Sequence, residues 1–294
     1  MVADEAPKAE LWNVGKVLRW TTEYFATHGI DSPRLTAEIL LAHGLGISRL
    51  DLYLRLDQPL NSEERDVYRK AIRRRIQREP VAYITGERSF WTLDLETGPE
   101  ALIPRPDTET LVEEALKCLP RDRACRILDL GTGTGCIALA LAAERPLSRV
   151  FAVDLSFAAC RLALKNVRNA GLSDRVFVVT GSWCAALGPA AFFDLVVSNP
   201  PYIPTAHIGA LAPEVRDHEP PLALDGGPDG LAAYRALALE VRHVLRPGGD
   251  LVLEIGYDQC RAVSDLLRET GFYEVLFCIK DLGGQDRVLV ARRM

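Results

Sequence analysis

The chain has no Cys-x-x-Cys pair, although it carries seven cysteines. They are scattered and odd in number, which argues against a disulfide framework and against a thiolate metal site. The five histidines do not cluster. The expectation is a reduced, cytoplasmic protein without a metal. No apolar run is long enough to cross a membrane. Residues 1–10 carry acidic side chains and no apolar core, so they read as neither a signal nor a transit peptide. Internal repeats and low-complexity segments are missing. So is an excess of positive charge: 35 Lys and Arg stand against 40 Asp and Glu, net -5. No global basic field therefore favours nucleic acid.

What is present is ordinary globular composition, 48% hydrophobic and 26% charged over 294 residues. That length fits one large domain and a small one. Residues 1–80 read as a small helical domain. A first helix spans 11–28, with Leu11, Val14, Leu18 and Phe25 on one stripe and Gly29 as its stop. Ser32 before Pro33 reads as an N-cap followed by proline at the first helical position, opening a helix that carries Leu35, Ile39 and Leu40. A short helix follows Ser48. Asn61 with Glu64 makes a capping-box start for a fourth, which Pro80 ends. That helix holds Arg65, Arg69, Lys70, Arg73, Arg74, Arg75 and Arg78. It reads as a docking face for an acidic partner or RNA, or as a solvated face offset by Glu63, Glu64, Asp66 and Glu79. The second reading is the expectation. Residues 81–104 alternate loosely through Tyr83, Phe90, Trp91, Leu93 and Leu95, with breaks at Gly86 and Gly98-Pro99. They read as an extended, hairpin-like connector.

Residues 105–294 alternate strands and helices. Residues 126–130 form a buried strand that runs into Gly131-Thr132-Gly133-Thr134-Gly135 and then a helix over 136–144. Strand, glycine-rich turn and helix amino terminus make a nucleotide-type site. The dinucleotide fingerprint wants glycine at 136, where Cys136 stands. The spacing Asp129-x-Gly131-x-Gly133-x-Gly135 instead resembles motif I of the class I methyltransferases, which bind S-adenosylmethionine. The next strand ends in Asp154, about twenty residues on, where a carboxylate can accept two ribose hydroxyls. Asp154 also reads as the N-cap of the following helix. A third strand leads to Gly181-Ser182-Trp183, and Trp183 reads either as a border of the adenine or as rim packing. Further strands are expected over 193–197, 250–255, 273–279 and 287–292. With the intervening helices they give a doubly wound, mostly parallel Rossmann-like sheet with an antiparallel final strand.

The strand over 193–197 delivers Ser198-Asn199-Pro200-Pro201-Tyr202. Asn199 and Pro200 each precede a proline and are held extended, presenting their backbone carbonyls. Asn199 adds a side-chain oxygen and Tyr202 a flat face. The group matches a planar amine or amide: acceptors for two N–H groups and a ring to lie on.

Taken together, the chain resembles the peptide chain release factor glutamine methyltransferases. The resemblance runs through Arg78-Glu79-Pro80, Tyr83-Ile84-Thr85-Gly86, Phe90-Trp91, Leu102-Ile103-Pro104-Arg105-Pro106-Asp107-Thr108-Glu109, the glycine loop, Asp154, Asn199-Pro200-Pro201-Tyr202 and Glu219-Pro220. The Asn-Pro-Pro-Tyr motif alone is shared with nucleic-acid adenine amino-methyltransferases, which stay as an alternative. A cofactor-binding protein without catalysis would have no use for two aimed acceptors. The resemblance implies a class I methyltransferase fold and methylation of the glutamine side-chain amide in a Gly-Gly-Gln tripeptide of class I release factors. S-adenosylmethionine is the implied donor, and no nucleic-acid substrate is expected. Asp129, the residues of the glycine loop, Asp154, Trp183 and Asn199 are expected at the cofactor. Asn199, Pro200, Pro201, Tyr202, Phe90 and Arg105 are expected at the substrate, with Asn199, Pro200 and Tyr202 catalytic. The first 80 residues are expected to dock the protein substrate. Gly283-Gly284-Gln285 reproduces the target tripeptide within this chain. It reads as a turn between the last two strands.

Overall fold

The structure, a computed structural model, describes residues 12–294 except 186 and 189–191. The leader reading of residues 1–10 and the helix start at Leu11 lie outside the described residues. The chain divides into two compact units, one up to Thr85 and one from Gly86 onward.

The first unit is helical: α1 (Val14–Thr27), α2 (Pro33–Leu45), α3 (Arg49–Leu54), α4 (Ser62–Ile76) and α5 (Val81–Thr85). Asn13 caps α1, its side chain accepting from Lys16 N at 2.9 Å. Val14, Leu18, Phe25, Leu40, Leu41, Leu52 and Tyr68 form the core. Two readings change here. Ser32 is left-handed at φ 47° and its hydroxyl caps nothing; only its backbone carbonyl accepts, from Thr36 N at 2.9 Å. Residues 81–85 are helical rather than extended, because the Pro80 carbonyl accepts from both Tyr83 N and Ile84 N. The capping box of α4 forms as expected. Its basic residues divide: Arg75 is buried, Arg74 binds Glu79 and the carbonyls of Tyr83 and Ile84, and Arg78 binds those of His28 and Gly29. These three arginines are internal clamps.

The second unit opens with the hairpin β1 (Glu87–Phe90) and β2 (Leu93–Glu96). Phe90 and Leu95 bury themselves in this unit's core, so the hairpin half of the expected connector is part of this unit. There follow α6 (Thr108–Cys118), β3 (Arg126–Leu130), α7 (Cys136–Glu144), β4 (Arg149–Asp154), α8 (Phe157–Asn169), β5 (Val176–Thr180), β6 (Phe193–Ser198), α9 (Pro213–Arg216), α10 (Ala232–Glu240), β7 (Leu245–Glu254), α11 (Cys260–Glu269), β8 (Tyr273–Lys280) and β9 (Asp286–Arg293). The seven-stranded sheet runs β5-β4-β3-β6-β7-β9-β8. Neighbours from β5 through β7 pair parallel, and β9 is antiparallel to both β7 and β8. This is the class I methyltransferase arrangement.

Successive residues of a strand face opposite sides. Ile127, Val150, Leu195 and Val252 accordingly meet α6 and α7 on one face. Leu128, Leu130, Val196 and Leu251 meet α10 and α11 on the other. Both faces are covered, which explains the continuous apolar runs of the central strands. The order reverses at β3, whose neighbours are β4 and β6. Ligands of open α/β sheets bind in the crevice at that switch point, outside the carboxyl ends of the strands. Asp281 closes the turn between β8 and β9, accepting from Gln285 N and Gly284 N. The Gly283-Gly284-Gln285 tripeptide is that turn.

Candidate active site

The loop after β3 is folded by its neighbours. Gly131 N and Thr132 N both donate to the Val153 carbonyl, at 2.8 and 3.0 Å. Asp129 is fully buried beneath the loop and takes the Thr132 hydroxyl at 2.6 Å. Burial pushes its carboxyl up to about 7. Asp129 thus supports the loop from behind and does not line the cavity in front of it. Gly135 has φ 85°, and a Cβ there would sit 3.4 Å from the Ala163 Cβ. Its role is the close seating of α7 on α8, and it too is absent from the cavity wall.

That cavity measures about 720 Å³, within the usual range for a cofactor-sized ligand. Gly131, Thr132, Gly133, Thr134, Asp154, Trp183 and Asn199 line it. Asp154 is part of its wall. Its Oδ2 accepts from Gly133 N and its Oδ1 from Ser156 N, each at 2.8 Å. It is not the cap of α8; Ser156 is, through Ala159 N. Each of these carboxylate oxygens has a second lone pair, enough to accept from a ribose diol as well. Trp183 is half-buried on the wall, with a ring carbon 3.8 Å from a Cβ built on Gly131.

A second cavity of about 220 Å³ lies alongside. Leu102, Arg105, Asn199, Tyr202, Ile203, Leu224 and Glu254 are in its wall. Leu102, Arg105, Asn199 and Ala223 line both cavities. The Asn-Pro-Pro-Tyr loop therefore stands between a cofactor-sized space and a smaller one. Asn199 Nδ2 donates to Thr108 Oγ1 at 3.2 Å. Pro200 is buried and lines neither cavity, while Pro201 lines the larger one. Among the described residues no donor takes the carbonyl of Asn199 or Pro200. Burial pushes the Tyr202 hydroxyl up to about 12, helped by the Glu254 carboxyl. Phe90 is not here. It is buried in the core beside Leu95 and Leu111, because the hairpin turns it inward against α6.

Three side chains of the site were not expected there, although Thr108 and Glu219 lie in motifs that carry the resemblance. Glu219 is buried, pairs with Arg105 and accepts from Ile103 N at 3.2 Å. It holds the segment before α6 against the loop over 203–230. Thr108 begins α6 and is buried against Asn199. Glu254 ends β7 beside the end of β6, and burial pushes its carboxyl up to about 7. An acid at the carboxyl end of a central parallel strand was the available clue.

Comparison with known proteins agrees with this layout. Residues 16–86 match the PrmC N-terminal domain and residues 108–212 the methyltransferase small domain. A release factor glutamine methyltransferase of Geobacter sulfurreducens is 46% identical over 285 residues, 97% of this chain and 98% of the relative. One of Caulobacter vibrioides is 46% identical over 262 residues, 89% and 90% of the two chains. A methyltransferase structure from Pyrococcus furiosus, 20% identical, superposes with a TM-score of 0.51 over 69% of this chain and 90% of its own. That last likeness shows the fold.

Proposed function

The chain belongs to the release factor glutamine methyltransferase family, and from that premise we propose how its residues act. It transfers a methyl group from S-adenosylmethionine to the side-chain amide nitrogen of a release factor glutamine. The substrate is the Gly-Gly-Gln glutamine of a class I release factor, and no nucleic acid is methylated. The observation that carries the reading is the shared wall: Asn199 faces both cavities.

The larger cavity fits the cofactor. Asp154 offers acceptors for two hydroxyls, the glycine loop lets a ligand approach the backbone, and Trp183 offers a flat border. S-adenosylmethionine, when bound there, supplies an electrophilic methyl group. The rest falls to the chain. An amide nitrogen is a weak nucleophile because its lone pair is delocalised, so positioning and electrostatics carry the rate. The Asn199 side-chain oxygen accepts one N–H of the glutamine amide. The Asn199 backbone carbonyl, which no donor among the described residues takes, accepts the other; Pro200, expected in that role, lines neither cavity. Tyr202, kept protonated by burial, lies against the amide plane in the smaller cavity. Arg105, anchored by Glu219, stands on the same wall. The net charge of -5 supports a protein substrate over a polyanion. The helical unit up to Thr85 docks that protein.

Mass spectrometry tests the reading. Purified release factor, enzyme and S-adenosylmethionine should yield one added methyl group on the tripeptide glutamine. Transfer to adenine in an oligonucleotide, with release factor left untouched, overturns it.

A further inference from the structure

Asn199 can act as an acceptor only if its oxygen, not its nitrogen, faces the glutamine. The two ends of a carboxamide have nearly the same shape, so packing does not choose between them. Something must choose chemically, and the structure contains the pieces. Asn199 Nδ2 donates to Thr108 Oγ1 at 3.2 Å, which turns Oδ1 away from Thr108. Thr108 is 2% exposed and is the first residue of α6, so its backbone is fixed. A hydroxyl has one proton to give. If Thr108 gave it to Asn199, the amide would sit the wrong way round. Glu254 lines the smaller cavity together with Asn199 and Tyr202, and the hydroxyls of Thr108 and Tyr202 favour its ionised form. Glu254 is 2% exposed, and its Oε2 has no hydrogen-bond partner among the described residues.

We propose that Thr108 and Glu254 are positioning residues that fix the Asn199 amide with its oxygen toward the substrate. Ionised Glu254 has acceptors only, so it draws the Thr108 proton to itself. The Thr108 oxygen is then left to accept, and Asn199 must present Nδ2 to it. The chain runs in one direction: glutamine N–H to Asn199 Oδ1, Asn199 Nδ2–H to Thr108, Thr108 O–H to Glu254. Hydrogen bonds in such a chain polarise one another. The carboxylate charge therefore strengthens Asn199 Oδ1 as an acceptor while positive charge develops on the glutamine nitrogen. Protonated Glu254 would donate to Thr108 instead and free the Thr108 proton for Asn199 Oδ1, which reverses the chain. Burial raises the Glu254 carboxyl to about 7, hydroxyls of Thr108 and Tyr202 and the Arg287 guanidinium favour its ionised form, and Asp107 opposes it. Tyr234 and the Cys136 thiol also feel its charge.

The inference rests on the proposed methyl transfer to glutamine, and the experiment separates the two. Wild-type enzyme must first methylate release factor; failure there sinks the function itself. Thr108→Val keeps the shape and removes the hydroxyl. Its kcat should fall on the order of tenfold, the worth of about one hydrogen bond, with S-adenosylmethionine affinity and KM for release factor unchanged. Thr108→Ser should restore the rate. In an Asn199→Asp background the two oxygens are equivalent and orientation no longer matters, so adding Thr108→Val should cost far less than it does alone. Wild-type kcat should rise with pH across about 7, and Glu254→Gln should flatten that rise. Wild-type rates in Thr108→Val, or the same loss with and without Asn199→Asp, would overturn the proposal. A Thr108→Ser enzyme as slow as Thr108→Val would also overturn it, since the methyl group would then be what matters.

Discussion

Gln259 donates from Nε2 to the Tyr202 carbonyl at 3.0 Å, and again to the Gly230 carbonyl at 3.2 Å. The far end of the Asn-Pro-Pro-Tyr motif is thereby tied to the start of α11. The segment beyond it is held equally firmly. Ile203 N donates to the Leu224 carbonyl, and Gly226 N returns to the Ile203 carbonyl. A Cβ on Gly226 would lie 2.8 Å from the Tyr202 Cα, so only glycine lets these strands of loop approach. A loop braced this way can hold an acceptor where the reacting nitrogen must sit.

Asn199→Ala should remove one of two acceptors and leave the glutamine amide free to rotate. The loss should appear in kcat more than in substrate capture. One oriented group at a developing charge is worth on the order of 10²–10³-fold. Asn199→Asp keeps an oxygen in place and should retain more activity than Ala. Single-turnover methyl transfer decides it; equal rates for Ala and wild type would make Asn199 a turn residue.

Asp154→Ala should weaken S-adenosylmethionine binding. The substitution removes a charged acceptor, worth about 1.5–3 kcal/mol per bond. It also strips Gly133 N and Ser156 N of their partner, so a modest drop in thermal stability should accompany it. Calorimetry reads the affinity. An unchanged dissociation constant would leave Asp154 with loop bracing alone.

How far the sequence could be read shows in these residues. Asp154 and Asn199 were legible because they stand at the carboxyl ends of β4 and β6, and Trp183 because it follows β5 by three residues; a strand end has few places to point. All three stand on the cavity wall. Phe90 was misplaced because an aromatic in an alternating hairpin can face either side, and only packing against α6 decides. Ser32 looked like a cap because the residue type favours caps, but its left-handed backbone turns the hydroxyl away from the helix amino terminus. Thr108 and Glu219 stood in the resembling motifs without a role at the site. Their partners, Asn199 and Arg105, lie 91 and 114 positions away along the chain, and no local pattern encodes such a distance.

Asp129 carries a pH signature. Burial raises its carboxyl from 3.8 to about 7. Between those values the folded chain holds a proton that the unfolded chain has released. Stability from this group is therefore full below about pH 4, falls as pH rises toward about 7, and levels off above. The slope is at most about 1.4 kcal/mol per pH unit. Asp129→Asn should lessen the difference in unfolding free energy between about pH 5 and about pH 8. Denaturant titration at both values checks it, and an unaltered difference would refute the burial effect.

The helical unit should serve the protein substrate rather than the cofactor. A chain beginning at Gly86 retains the hairpin, both cavities and every residue proposed for the cofactor. It should bind S-adenosylmethionine as the whole chain does. Its methylation of intact release factor should be much slower, while a short peptide bearing the tripeptide should suffer less. Normal turnover of the intact factor would remove the docking role from residues before Gly86.

The two cavities share Leu102, Arg105, Asn199 and Ala223. Filling one should dry and steady a wall of the other, so cofactor and glutamine should each bind more tightly once the other is in place. The resulting synergy is reciprocal by thermodynamic necessity: whatever factor the cofactor adds to the affinity for the glutamine side chain, the glutamine returns to the cofactor. Synergy of this kind needs no transmission through the fold, since among the described residues four line both cavities.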